Sequence, residues 1–274
     1  MDSIPDTPFP LKLHVLASGS KGNAAIIENT RTGQGVLVDC GLCKRDFLER
    51  CDQAGFDPAT LQAVLITHEH SDHTKGLGVV LRGLAKQSVH LRLLTSPAVR
   101  DASAPIGEVL QQGLCDFTPF KAGDALQTAG MDIRVFATSH DAAESFGFRF
   151  QCEGDAIGYI TDTGIVPPPA RQALEGVRIF ALEANHDRRM LEEGDYPYHL
   201  KARIASDTGH LSNDQAAAEL LQLLHGGLQA VVAMHVSQNN NTYRAPREAL
   251  AAALASAGHP ATVLVAYQGR LISV

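Results

Sequence analysis

His68-Glu69-His70-Ser71-Asp72-His73 places three histidines and two acids within six residues, directly after the apolar run 63–67. Imidazole and carboxylate are the side chains from which zinc and related divalent ions take their ligands. A buried strand ending at this point lets the alternating side chains of His68 and His70 point to one side. Asp72 and His73, past the turn, can then face a second point about 3.5–4 Å away, the separation of a two-metal site.

The strand that leads into this motif has an echo. Residues 61–68 and 228–235 agree at five of eight positions, and each ends in a histidine. The echo suggests two related halves, each delivering a histidine from a strand end to a shared centre. Around them, apolar runs at 11–16, 24–29 and 36–39, separated by Gly-rich turns, read as strands. Residues 44–54 space Phe47, Leu48 and Cys51 for one face of a helix. Further strands are predicted at 125–128, 133–138, 146–152, 157–161, 179–183 and 230–234. That order fits two packed sheets better than a doubly wound parallel sheet. Ser212-Asn213-Asp214-Gln215 has the form of a capping box opening a helix, and 263–267 with 271–274 predict a closing hairpin.

Composition bounds the rest. The chain has 274 residues, 45% of them hydrophobic and 19% charged, which suits one folded domain over 1–274 and excludes a disordered acidic tail. A net charge of −7 argues against a protein held on nucleic acid by bulk positive charge. No apolar run approaches the ~20 residues of a membrane helix. The opening MDSIPDTPFP has no basic or apolar signal region. Five irregularly spaced cysteines fit a reduced, cytoplasmic protein, and Cys40-x-x-Cys43 has no second pair to complete a zinc site.

H-x-H-x-D-H resembles the signature of the metallo-β-lactamase superfamily, and the likeness runs along nearly the whole chain. His140 in Thr138-Ser139-His140-Asp141, Asp162 in Ile160-Thr161-Asp162-Thr163-Gly164, and His235 match the later motifs. The resemblance implies an α/β fold, an αββα sandwich with metals at one edge. It implies that His68, His70 and His140 hold one ion, that Asp72, His73 and His235 hold the other, and that Asp162 bridges them. Asp39 matches an acid that orients ligands from behind. The implied cofactors are two divalent ions, zinc or manganese.

Longer segments are similar to the YycJ (WalJ) family: residues 16–23, 182–187, 209–213 and 235–240. That likeness implies a nuclease with 5′-to-3′ exonuclease activity on DNA ends, in which a hydroxide held between the metals attacks phosphorus. The placing of His210 before the capped helix, with Glu183 as its carboxylate, is similar to tRNase Z and implies a pair that protonates the leaving oxygen. Ser212 and Asn213 at a helix start, with His186, Lys21, Ser237, Asn239, Asn240, Lys201 and Arg203, are candidate substrate contacts. The stretch between Asp162 and His235 is too short for the inserted domain of β-CASP nucleases. No Trp and 5% aromatics leave few stacking platforms, so substrate is expected to be held locally at the metals. Three other readings use the same site: a small-molecule or cyclic-nucleotide phosphodiesterase, a thioester or lactone hydrolase, and a non-catalytic metal-binding protein.

Overall fold

Among the described residues fourteen strands form two sheets. They are β1 (Leu11–Ala17), β2 (Ala24–Asn29), β3 (Gln34–Val38), β4 (Leu61–Leu65), β5 (Leu91–Thr95), β6 (Cys115–Pro119), β7 (Ala125–Thr128), β8 (Met131–Ala137), β9 (Phe146–Cys152), β10 (Asp155–Ile160), β11 (Ile179–Glu183), β12 (Ala230–Met234), β13 (Thr262–Val265) and β14 (Ile272–Ser273). The computed structural model describes residues 9–274. The reading of an N-terminus without signal character falls mostly on the residues before these, which lie outside the described residues. Among the described residues one seven-stranded sheet has the order β14-β1-β2-β3-β4-β5-β6, and the other the order β13-β12-β11-β10-β9-β8-β7.

Each sheet is antiparallel on one side and parallel on the other. The β3-β4-β5-β6 and β10-β11-β12-β13 stretches are parallel. Parallel strands need both faces covered, and these have it. Ile179, Ala181, Val232 and Met234 join the core between the sheets. Phe180, Leu182, Val231 and Ala233, one residue out of phase, join a second core beneath helices. That double burial is why β11 and β12 read as unbroken apolar runs. Helix Lys44–Ala54 packs on β1 and Ala104–Gln111 on β6, with Leu77–Ala85 touching both of these helices. On the far side Pro168–Leu174 packs on β8 and β9, and Ala245–Ser256 on β12 and β13 with Asn213–Gln222 against it. Helices thus cover the outer faces, giving the mixed α/β layering that the motifs implied. No helix among the described residues is long and apolar enough to cross a membrane.

Two local expectations meet different fates. Ser212 caps helix Asn213–Gln222, its hydroxyl accepting from the Gln215 N–H while the Gln215 side chain accepts from the Ser212 N–H. The closing hairpin does not form. β13 lies parallel to β12, whereas β14 crosses to the other sheet and pairs antiparallel with β1. Buried His14 draws it there, with Nδ1 2.8 Å from Ser273 Oγ and Nε2 2.8 Å from Glu28.

At the end of the sandwich where β1 and β10 begin, one polar cluster ties the sheets together. Buried Asp155 accepts from the Leu11 N–H at 3.1 Å and from Arg178 Nε and Nη2 at 2.7 and 2.8 Å. Arg178 Nη2 also donates to the Leu11 carbonyl at 2.8 Å. Asp155→Ala would strand a buried guanidinium. It should lower unfolding stability by about 3–5 kcal/mol in a urea titration. Divalent-metal uptake should survive, because the cluster lies about 20 Å of extended chain before Asp162.

Candidate metal centre

The parallel strands deliver their C-terminal ends to one edge, and there the side chains of the histidine-rich motif meet partners from the other sheet. β4 continues through Thr67 to His68, and β3 leads to Asp39, which has no exposed surface. Asp39 Oδ1 accepts from the Thr67 N–H at 2.9 Å, and Oδ2 lies 2.7 Å from His73 Nδ1. The Thr67 hydroxyl sits 3.0 Å from both Asp39 oxygens and 3.0 Å from His68 Nδ1. Its single proton goes to the carboxylate, so it accepts from His68 Nδ1–H and leaves the lone pair of His68 on Nε2. His73 is fixed the same way, Nδ1 inward and Nε2 outward.

The segment 71–76, which opens with the short helix Ser71–Thr74, is stitched to its surroundings through main chain. Asn23 N–H donates to the Asp72 carbonyl at 2.8 Å, Cys40 N–H to the His73 carbonyl at 2.7 Å, and Gly76 N–H to the Cys40 carbonyl at 2.7 Å. Gly41 allows this approach: a Cβ there would stand 1.8 Å from the Asp72 carbonyl oxygen. The Asn23 amide donates to Asp72 Oδ2 at 3.1 Å and lies 3.0 Å from His73 Nε2.

From the second sheet, β10 leads to Asp162, β11 ends at Glu183 and β12 leads to His235. The His235 N–H donates to Ser18 Oγ at 2.7 Å, and its carbonyl accepts from Asn185 Nδ2 at 2.8 Å. His140 Nδ1 lies 3.1 Å from the Gly209 carbonyl. Glu69 anchors the His140 loop by accepting from the Ala143 N–H at 2.7 Å. Asp39, Asp162 and His235 have positive φ of 60°, 53° and 52°. Such left-handed residues cost on the order of 1–3 kcal/mol each, and Asp and His bear it better than bulkier side chains. Three of them, each just past a strand, turn the chain sharply so that the side chains converge.

The result is two adjoining groups. Ligand atoms of His68, His70 and His140 lie within 4.8 Å of one another, as do those of Asp72, His73 and His235, while Asp162 belongs to sets that include His68 and His235. Asp162 Oδ2 is 3.4 Å from His73 Nε2, and Oδ1 is 3.8 Å from His140 Nε2 and 3.5 Å from His235 Nδ1. His68 Nε2, Asp162 Oδ2 and His235 Nε2 are buried without a hydrogen-bond partner, and all three belong to these groups. Orphaned buried donors and acceptors are costly, and five imidazoles with two carboxylates are a suitable donor set for divalent cations. The residues fit the metal that the fold implies.

Charge is arranged accordingly. Burial works against a charged His73, but the Asp39, Asp162 and Asp72 carboxylates hold it well above the usual imidazole range. For His235 burial is likewise overcome, by Asp162 first, and it rises to about 10. Burial, and then His73, keep His68 well below that range. Beside the two groups, Glu183 Oε1 lies 2.8 Å from His210 Nδ1, and Oε2 accepts from the Thr163 and Leu211 N–H groups at 2.9 and 3.3 Å. Despite full burial, His210 draws Glu183 down to about 2. Glu183 Oε1 also stands 3.3 Å from His235 Nδ1, and His210 keeps 18% of its side chain exposed.

The other sequence candidates are spread around this centre. Ser212 and Asn213 are buried, the first spent on its cap and the second on a side-chain pair with Asn241. Their side chains are thus engaged inside the protein. Ser237 Oγ accepts from the Asn239 and Asn240 N–H groups, Asn240 is buried, and Asn239 donates to Tyr196. His186 is buried, its Nδ1 unpartnered, and burial lowers it to about 4. Lys201 donates to the Glu192 carbonyl, Arg203 pairs with Asp141, and Lys21 is exposed. Sequence reading missed Asn23, Ser18, Thr67, Glu69 and Asn185 as positioning residues. Asn23 and Ser18 did lie in a quoted family segment, which was the available signal.

Comparison with known proteins agrees with this geometry. Residues 34–236 match a family model described as the beta-lactamase superfamily domain. The chain is 34% identical over 232 residues to exodeoxyribonuclease WalJ of Streptococcus pneumoniae serotype 2 (strain D39), covering 84% of this chain and 83% of that protein. It is 32% identical over 248 residues to exodeoxyribonuclease YycJ of Bacillus anthracis, covering 90% of each. Among solved structures, the metallo-beta-lactamase fold protein YhfI from Bacillus subtilis superposes with a TM-score of 0.71 at 16% identity, over 97% of this chain and all of that one.

A cation can use His73 and His235 only after their protons leave. Metal uptake by the metal-free protein should therefore release protons, and affinity should rise with pH until His235, at about 10, is neutral. Titration calorimetry in two buffers of different ionisation heat measures the release. Equal heats in both would show that the imidazoles were neutral beforehand.

Proposed function

This chain belongs to the beta-lactamase superfamily and, within it, to the family of the WalJ and YycJ exodeoxyribonucleases, and from that premise we propose that it degrades DNA from its ends. It is a metal-dependent nuclease. The finer reading is a cytoplasmic exonuclease with 5′-to-3′ polarity that holds a pair of zinc or manganese ions. His68, His70 and His140 would hold one ion, Asp72, His73 and His235 the other, with Asp162 between them. Ions bound there would act as Lewis acids toward a phosphoryl oxygen and lower the pKa of a water.

The observation that carries the reading is the Glu183–His210 pair, 2.8 Å apart beside the ligand groups. Metal binding alone does not require it; expulsion of an alkoxide does. Glu183 is fixed by two backbone N–H groups and holds His210 by Nδ1, which leaves Nε2 to hand a proton to the departing 3′-oxygen. Asp39, Thr67 and the Gly209 carbonyl keep His73, His68 and His140 in place from behind, so that no ring must reorient as charge develops.

His210→Ala should retain the metal content of the wild type while turnover on DNA falls by about 10²–10⁴-fold. Because His210 also groups with Asp162, Glu183 and His235, loss of metal in this variant would make it a ligand and remove the acid from the mechanism. Polarity and substrate class are read from DNA labelled at either end, with manganese or zinc. Release of label from the 5′ end first is the expected result. Hydrolysis of small diesters with none of DNA would instead favour a small-molecule phosphodiesterase.

A further inference from the structure

The chain is acidic overall, yet one groove is lined only by neutral and basic residues. It lies between helices Lys44–Ala54 and Leu77–Ala85, encloses about 650 Å³, and carries Lys44, Arg45, Arg82 and Lys86 with Cys43, Val79 and Gly83. No carboxylate lines it. Asp46, in the same first turn, pairs with Arg45 at 3.1 Å, and Arg82 Nη1 reaches Gln112 at 3.0 Å. The Lys44 stem lies over Gly83, where a Cβ would meet its Cδ at 2.7 Å. Glycine there lets the lysine lie along the groove. Cys43 occupies the N-cap of the eleven-residue helix without a side-chain cap bond, while Asp46 in the first turn offsets part of the positive end.

The groove joins the metal-binding loop. The Cys40 carbonyl accepts from Gly76 N–H at 2.7 Å, which places the start of the Lys44–Ala54 helix beside the segment carrying Asp72 and His73. On that segment Lys75 Nζ donates to the Lys21 carbonyl at 2.9 Å. The groove therefore begins, at Cys43 and Lys44, three to four residues along the chain from the Cys40 carbonyl that holds the metal-binding segment. Resting on the nuclease reading above, we propose that this groove carries the phosphodiester backbone of the DNA strand whose end is held at the metals. Lys44, Arg82 and Lys86, with Arg45 shared with Asp46, match a repeating anion; a small neutral ligand has no use for them. Substrate is thus held beyond the metals as well as at them, which extends the purely local binding expected from composition.

The test compares two triple variants of equal net charge, K44Q/R82Q/K86Q in the groove and R189Q/R244Q/R247Q on exposed helices elsewhere. Binding of a long single-stranded DNA to the metal-free full chain, where cleavage cannot occur, is followed by fluorescence anisotropy over a salt series. The groove variant should weaken binding by about tenfold or more at low salt and reduce the slope of log K against log salt by about 2. The control variant should match the wild type. Equal behaviour of the two variants overturns the groove. If metal-loaded wild type still degrades DNA in that case, the nuclease reading survives without it. A wild type that neither binds nor degrades DNA overturns both. Thermal melting of each variant guards against misfolding, since an intact melt makes any loss of binding local.

Discussion

An imidazole can bind a metal only if one nitrogen is tethered and the other kept bare, and the edge of this sandwich is built around that demand. The Asp39 carboxylate meets it for two rings at once, through His73 directly and through the Thr67 hydroxyl for His68. It can do so only because β3 and β4 run parallel and finish side by side, and because Asp39 accepts a left-handed backbone. Gly41 then leaves room for the Asp72 carbonyl to close over it. The sheet order, the strained turns and the buried carboxylate are one device: a rigid frame that holds unpaired lone pairs toward a common point.

How much of this could be read in advance depended on how local the determinant was. The H-x-H-x-D-H loop carries four ligand-type side chains in consecutive sequence, so residue spacing alone exposed it. The echo between β4 and β12 was legible because both strands are buried on both faces between parallel neighbours and each leads to a histidine. Glu183 and His210 needed family likeness, since nothing in their separation of 27 residues announces a contact. Thr67 stayed hidden, and Asn23 and Asn185 were marked only by lying in family-like segments. Amides and hydroxyls are common on any surface, and only their neighbours in space turn them into supports. The closing hairpin failed for a similar reason. Two short apolar runs near each other suggest a hairpin, but the partner that won, β1, lies at the other end of the chain. Ser212 announced a helix start correctly, because a capping box is written within four consecutive residues.

Net charge misleads about partners when its distribution is uneven. The metal edge gathers carboxylates that divalent ions would offset, while the groove between the first outer helices holds Lys44, Arg45, Arg82 and Lys86 with no carboxylate in its lining. A polyanion approaching such a molecule is repelled at most orientations and accepted at one. This favours engagement of a strand end over random coating of a duplex, at a cost in association rate that salt would reduce.

The pairing of β14 with β1 has a further consequence, for biosynthesis. His14 and Ser273 are 259 residues apart, so the outer edge of β1 has no strand to cover it until residues 272–274 have left the ribosome. At typical elongation rates that interval is on the order of 10–50 s. Throughout it β1 presents an open ladder of N–H and C=O groups, the kind of edge to which other chains add. Completion of the first sheet is therefore a late, vectorially ordered event.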